Sequence, residues 1–367
     1  MRTGSINGTI YGNEWQTIYD SGELGSAQTS ITISNLDGNT DKEYRLICRF
    51  VSNVSAGVGS YQVKPNNDTG NNYGYQQVYG VASSAGAERY GVNISYLGYS
   101  DSTGDVCLSD TLFYAKSGFP RTFITTFAGG ISGTTVTRVH SLGEVWNNTS
   151  DNITSLVIQG NVADSIGIGS RIILMRRADR DASTIGKTGD ADVYGRIKGC
   201  FQKIYENYIT ANSTSFTIGG LDGNTDILYK CVVRMIDASG IGGGTNCTLR
   251  YNGDSGNNYG YQHVTGYYST AIAGRTTWTG DIICQTNITT GAFYTIGEKL
   301  IFAKSGYVRT SLGKIAGEVV NSDVNYSMDM GASWNNAVDN ITSIVVSADR
   351  INGLGTGTVI ELWAYRP

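Results

Sequence analysis

Along much of this chain apolar and polar residues alternate with a period of two, and no segment of ten residues carries a helical period. Thr29-Ser30-Ile31-Thr32-Ile33 alternates, Asp37-Gly38 supplies turn residues, and Tyr44 to Phe50 resumes as a strand, which together predict a hairpin. Further strands are expected at Ser60–Val63, Gly91–Tyr96, Asp110–Ala115, Arg121–Phe127, Thr135–Val139, Ile153–Ile158 and Ser170–Met175, with Gly-rich turns between them. Such a series predicts an all-β, antiparallel β-sandwich of jelly-roll type, because that closure manages exposed strand edges.

The pattern occurs twice. Leu36-Asp37-Gly38-Asn39-Thr40-Asp41 recurs at Leu221–Asp226, Gly70-Asn71-Asn72-Tyr73-Gly74-Tyr75-Gln76 at Gly256–Gln262, Ala115-Lys116-Ser117-Gly118 at Ala303–Gly306, and Trp146-Asn147-Asn148 at Trp334–Asn336. The motifs keep their order and the offset drifts by only three residues, so the chain contains a duplication. Residues 1–178 are read as the first sandwich with a short N-terminal arm, 179–191 as a polar linker and 192–367 as the second sandwich. A length of 367 residues suits two such domains.

Composition narrows the function. There are 49 Gly and 24 Tyr but only 3 Pro, charged residues make up 16%, and the formal net charge is −4, so the concentrated basic surface that nucleic-acid binding needs is missing. The basic cluster from Arg171 to Arg180 is interrupted by Ile172-Ile173-Leu174-Met175 and reads as a strand end. No apolar run is long enough for a spanning helix and the first residues lack a secretory pattern, so a chain made in the cytoplasm with no membrane partner is expected. The six cysteines do not correspond between the copies and are expected as free buried thiols.

Three sets of shared residues are candidates for binding. Asp37, Asn39 and Asp41, with Asp222, Asn224 and Asp226, put oxygen ligands at alternate positions, as calcium loops do, but the bidentate Glu is missing and turn chemistry accounts for them; no cofactor is expected. Tyr73, Tyr75 and Gln76, with Tyr259, Tyr261 and Gln262, follow an Asn/Gly-rich loop and have the chemistry to contact a glycan or a protein partner, or to pack in a core. Lys116, Arg121, Lys304 and Arg309 are shared cations suited to an acidic partner surface.

Catalytic residues are scarce. His140 aligns with Met328 and His263 with Gln77, which excludes a histidine site common to both copies, and the shared acids Asp37, Asp41, Asp68 and Asp151 sit in turn-like contexts. The reading is non-enzymatic.

The Leu-Asp-Gly-Asn-Thr-Asp string followed by Tyr44 or Tyr229, the Asn252–Tyr259 block, and the Trp-Asn-x-x-x-Asp-Asn-Ile-Thr-Ser ending resemble a repeated β-sandwich domain of tailed-bacteriophage structural proteins. The resemblance covers most of both copies and supplies no catalytic residues. It implies a virion location, as a capsid decoration or minor capsid protein that contacts the major capsid protein or other virion proteins and forms homo-oligomer or lattice contacts. The alternative is a tail or fibre adhesin for host-surface glycan.

Overall fold

The computed structural model describes residues 15–54, 57–92, 94–177, 200–240, 244–267, 270–286, 293–320 and 323–367; the expected linker lies outside them. The first copy contains β1 (Trp15–Asp20), β2 (Ser30–Ser34), the helical turn α1 (Gly38–Asp41), β3 (Glu43–Val51), β4 (Gly59–Pro65), β5 (Tyr73–Val81) and β6 (Ser84–Val92). It continues with β7 (Ser95–Ser100), β8 (Val106–Tyr114), β9 (Arg121–Ser132), β10 (Thr135–Trp146), β11 (Ser155–Gly160) and β12 (Arg171–Arg177). The second copy runs β13 (Cys200–Tyr208), β14 (Ser215–Gly219), α2 (Gly223–Asp226), β15 (Leu228–Asp237), β16 (Asn246–Tyr251), β17 (Tyr259–Tyr267) and β18 (Thr270–Trp278). Then follow β19 (Asp281–Gln285), β20 (Phe293–Phe302), β21 (Arg309–Val320), β22 (Asp323–Trp334), β23 (Ser343–Ala348) and β24 (Val359–Arg366).

Each copy is a sandwich of an eight-stranded sheet, ordered β1-β12-β3-β8-β9-β10-β5-β6, and a four-stranded sheet, ordered β2-β11-β4-β7; the second copy repeats both orders strand for strand. Setting aside the hairpins β5-β6 and β9-β10 leaves two sheets of four, with the first strand beside the last and the second beside the next to last. This is the jelly-roll path. The two hairpins extend one sheet beyond the other.

Alternation along β8 explains the layering. Cys107 and Phe113 turn inward with Phe50, Phe123 and Phe127 to meet Tyr61, Leu97 and Ile158 of the small sheet, and an equivalent core joins Val233, Ile301 and Trp334 to Leu249, Ile283 and Ile344. The outward face is apolar as well. Ile47, Leu108, Ala128, Ile131, Val136, Ile173 and Met175 pack against Phe201, Leu228, Leu300, Phe302, Leu312 and Tyr365 of the other copy. The two large sheets therefore stack, and the layer order is four, eight, eight, four strands. Each large side chain buried there contributes on the order of 1.5–3 kcal/mol.

Two local expectations are corrected. Residues 29–50 do not form a hairpin: β2 pairs with β11 in the small sheet, whereas β3 pairs with β12 and β8 in the large one. The chain crosses the sandwich through α1, which is capped by Lys42 at φ 65° and, in the second copy, by Ile227 at φ 60°, while Gly38 and Gly223 keep negative φ. The strand expected over Gly91–Tyr96 is broken between β6 and β7, and β1, β5 and β6 lie outside the expected series.

Candidate functional site

The Asp-Gly-Asn-Thr-Asp segment is a structural corner in both copies. Asp37 caps α1 by accepting from Thr40 Oγ1 at 2.6 Å through Oδ2 and from the Thr40 amide through Oδ1, Asn152 also donates to Oδ1, and Asn39 accepts from the Ser117 amide. Asp41 turns away to accept from Tyr44 and Arg176. Asp222, Asn224 and Asp226 repeat this with Thr225, Asn340, Ser305, Tyr229 and Arg366. The oxygens are spent on separate donors, so they do not converge on a cation. Among the described residues no group of three His, Cys, Asp or Glu side chains is placed to hold a metal ion.

A second corner explains the Asn/Gly-rich loop. Trp146 Nε1 donates to Asp68 at 2.7 Å, Asn72 and the Gly70 amide donate to the same carboxylate, and Tyr73 donates to the Asp68 carbonyl. Trp334, Asp254, Asn258, Gly256 and Tyr259 reproduce it. Burial opposes ionisation of Asp68 and Asp254, but these donors outweigh it and hold both carboxyls below their ordinary range. Tyr73 and Tyr259 are thus buried props of the loop.

Arg121 and Arg309 are also inside, which corrects the expectation of surface cations. Each guanidinium stacks on the neighbouring tryptophan, 5.3 Å from Trp146 and 5.5 Å from Trp334, and donates to the carbonyl of Asp151 or Asp339. Their planar donors tie a loop that has no ladder partner of its own. Lys116 is exposed, whereas Lys304 pairs with Glu23 of the first copy at 2.8 Å.

The interior polar groups differ between the copies. Glu144 on β10 accepts from Ser95 Oγ (2.6 Å), the Tyr96 amide (2.7 Å) and Thr125 Oγ1 (3.1 Å). Burial outweighs these bonds and pushes its carboxyl up to about 7. In the second copy the acid is on the opposite sheet: Asp281 accepts from Lys299, Ser311 and Tyr251. His140, against Phe127 and Tyr79, is pushed down to about 3 by burial and by Arg138, and burial also lowers His263. Both imidazoles are neutral near pH 7 and bond Gln77 and Thr265. Glu144 and Asp281 are enclosed with their donors, whereas the Nε2 atom of His140 is buried without a hydrogen-bond partner.

The remaining predicted tyrosines separate by copy. Tyr75 is buried within a tract with Tyr90 and Tyr96, to which Tyr99 is joined; Tyr90 is more than half exposed, and Glu88 beside it accepts from Gln77 and Tyr79. Tyr261 packs on Ile282, Ile315, Met328 and Met330 instead, and the position facing it across β18 is Thr276. Gln76 is exposed, but Gln262 is buried and donates to the Ala82 carbonyl of the other copy at 2.9 Å.

Gln262 belongs to the surface that the sequence reading missed, the contact between the two large sheets. Arg49 lies 4.1 Å from the Tyr307 ring and 4.9 Å from Phe302, and donates to the Gly169 carbonyl; burial lowers its guanidinium to about 10. A Cβ on Gly331 would stand 2.0 Å from Ala128, and one on Gly80 2.7 Å from the His263 carbonyl, so glycine is required for the sheets to approach. The signal in the sequence was the loss of alternation in Leu46-Ile47-Cys48 and Ile172-Ile173-Leu174-Met175, which marks strands covered on both faces.

No family model matches the chain, and no curated protein matches it. Among solved structures, the chain is similar to a bifunctional GH43-CE protein of Bacteroides eggerthii at 10% identity and a TM-score of 0.17, covering 77% of this chain and 37% of that one. It is similar to the CBM2 module of the evolved Dit of Lactobacillus casei BL23 phage J-1 at 12% identity and a TM-score of 0.16, over 47% of this chain and 82% of that one. For the infectious bursal disease virus VP2 subviral particle the figures are 12% and 0.11, over 97% and 81%. The chain spans little more than a third of the GH43-CE protein, and likenesses this faint carry no argument about function.

Proposed function

We propose that this chain is a non-enzymatic structural protein of a virus particle, a capsid decoration or minor capsid component of a tailed bacteriophage that attaches to the capsid lattice. The observation that carries the reading is how the shared residues are used. Asp37, Asp68, Asp151, Arg121 and Trp146, with their counterparts, fasten loops to a jelly roll, so what the repeats have in common is architecture. A stack of four sheets joined through an apolar face suits a protein that must persist outside the cell. The test is binding of the purified chain to matching empty heads, with mass spectrometry of purified particles. Saturable binding and presence in the particle are expected; failure of both overturns the proposal.

One observation favours a second reading, a tail or fibre adhesin. The tract of Tyr75, Tyr90 and Tyr96 with Glu88 offers an exposed ring beside hydrogen-bonding groups, the pairing that stacks on a sugar face, and it is confined to the first copy. A glycan array with hits that vanish in Tyr90→Ala would support the adhesin; an array without hits would remove it.

A further inference from the structure

The two copies meet through unlike parts of equivalent faces. On the first copy the contact includes the buried Arg49, Leu108 and Ala128; on the second it includes the buried Leu300, Phe302, Leu312 and Gly331 and the half-buried Tyr307. By the repeat, Leu300 corresponds to Leu112, Leu312 to Ile124, Tyr307 to Phe119 and Gly331 to Gly143. Leu300 and Leu312 are 4% and 5% exposed, but Leu112 and Ile124 are 40% and 55% exposed, Phe119 stands in solvent, and a Cβ on Gly143 would meet nothing within 4 Å. The converse holds on the second copy. Leu108 is fully buried while its counterpart Ile296 is 44% exposed, and Arg234, the counterpart of the stacked Arg49, is half exposed beside Glu361.

The contact is therefore heterologous, and each molecule retains one unused half of each kind. We propose that the chain associates head to tail with further copies of itself: the free half on the first copy (Leu112, Phe119, Ile124, Gly143) meets the free half on the second copy (Arg234, Ile296) of the next molecule. The occupant is another copy of this chain because Leu112, Phe119, Ile124 and Gly143 on one side, and Arg234 and Ile296 on the other, keep the residue class of counterparts that already bind each other within one molecule. Arg234 would stack on Phe119 as Arg49 does on Tyr307. The repetition is partial: Ile173, Leu228 and Tyr365 of the buried contact correspond to Glu361, Glu43 and Arg177, and Tyr208 stands where Glu23 pairs with Lys304, so the contact between molecules relies on the apolar residues named above and the stacked arginine. Contacts of this kind close into rings or run on as filaments. The inference goes beyond the virion reading and does not depend on it.

Sedimentation velocity of the full chain over a concentration series tests it. Association that grows with concentration is expected, with Ile124→Arg and Ile296→Arg each reducing the protein to monomers. Mixing these two variants should restore dimers and nothing larger, since each keeps one intact half; Val338→Arg, at a position exposed elsewhere, should leave association unchanged. Wild-type protein that stays monomeric at its highest soluble concentration, or assemblies that survive both substitutions, overturns the proposal. Thermal melts of the variants confirm folding, and binding to empty heads reports separately on the virion reading.

Discussion

Glu144 should make the first sandwich sensitive to pH through a single carboxyl group. It lies fully inside the sandwich with three hydrogen-bond donors and no cationic partner, and burial lifts its carboxyl from the ordinary 4.5 to about 7. Because the folded-state value lies above the unfolded one, the folded protein holds this proton more tightly. The stabilisation is complete below about pH 4.5, declines as pH rises through the window from 4.5 to 7, and is gone above it. At 1.36 kcal/mol per pH unit the difference amounts to on the order of 3 kcal/mol. Glu144→Gln keeps an acceptor for the Tyr96 amide and removes the titration. Urea unfolding of the wild type and the variant at pH 5 and pH 8 should show the variant gaining roughly that amount relative to the wild type between the two conditions. Native-state hydrogen exchange should place the change in β10 and spare β22, where Ala332 occupies the equivalent position. A difference between the two proteins that is the same at pH 5 and pH 8 would refute the reasoning.

Two further outcomes are expected. Gly331→Val inserts atoms where Ala128 already stands and should cost about 1–3 kcal/mol in urea unfolding, whereas Gly143→Val at the equivalent position should stay within about 0.5 kcal/mol; equal effects would contradict the asymmetric stacking. All six cysteines are buried, and burial raises the thiol of Cys107 to about 12, so a thiol reagent should react slowly with native protein and with all six after unfolding; rapid native reaction would contradict this burial.

The sequence by itself determined the sandwich and its repetition. Period-two alternation specifies a strand with one face in a core, and that suffices for β2, while the short apolar runs Leu46–Cys48 and Ile172–Met175 mark β3 and β12 as strands. Repeated strings such as Leu-Asp-Gly-Asn-Thr-Asp report a duplicated scaffold whatever their contacts. The hairpin β5-β6 was less legible because Gly74, Gly80, Gly86 and Gly91 dilute its alternation. Turn-prone residues at Asp37 and Asp68 were legible as loops, but that Trp146 would be tied to the Asp68 loop, and Arg121 to the loop at Asp151, depends on partners far along the chain.

Tertiary structure alone decided which sheet β2 and β3 each join, that the shared arginines lie inside, and how the copies stack. Local pattern fixes which side of a strand is apolar but not what covers it. Identical motifs therefore predicted identical surroundings for Leu112 and Leu300, and only the arrangement of one sheet on the other buries the second while leaving the first in water.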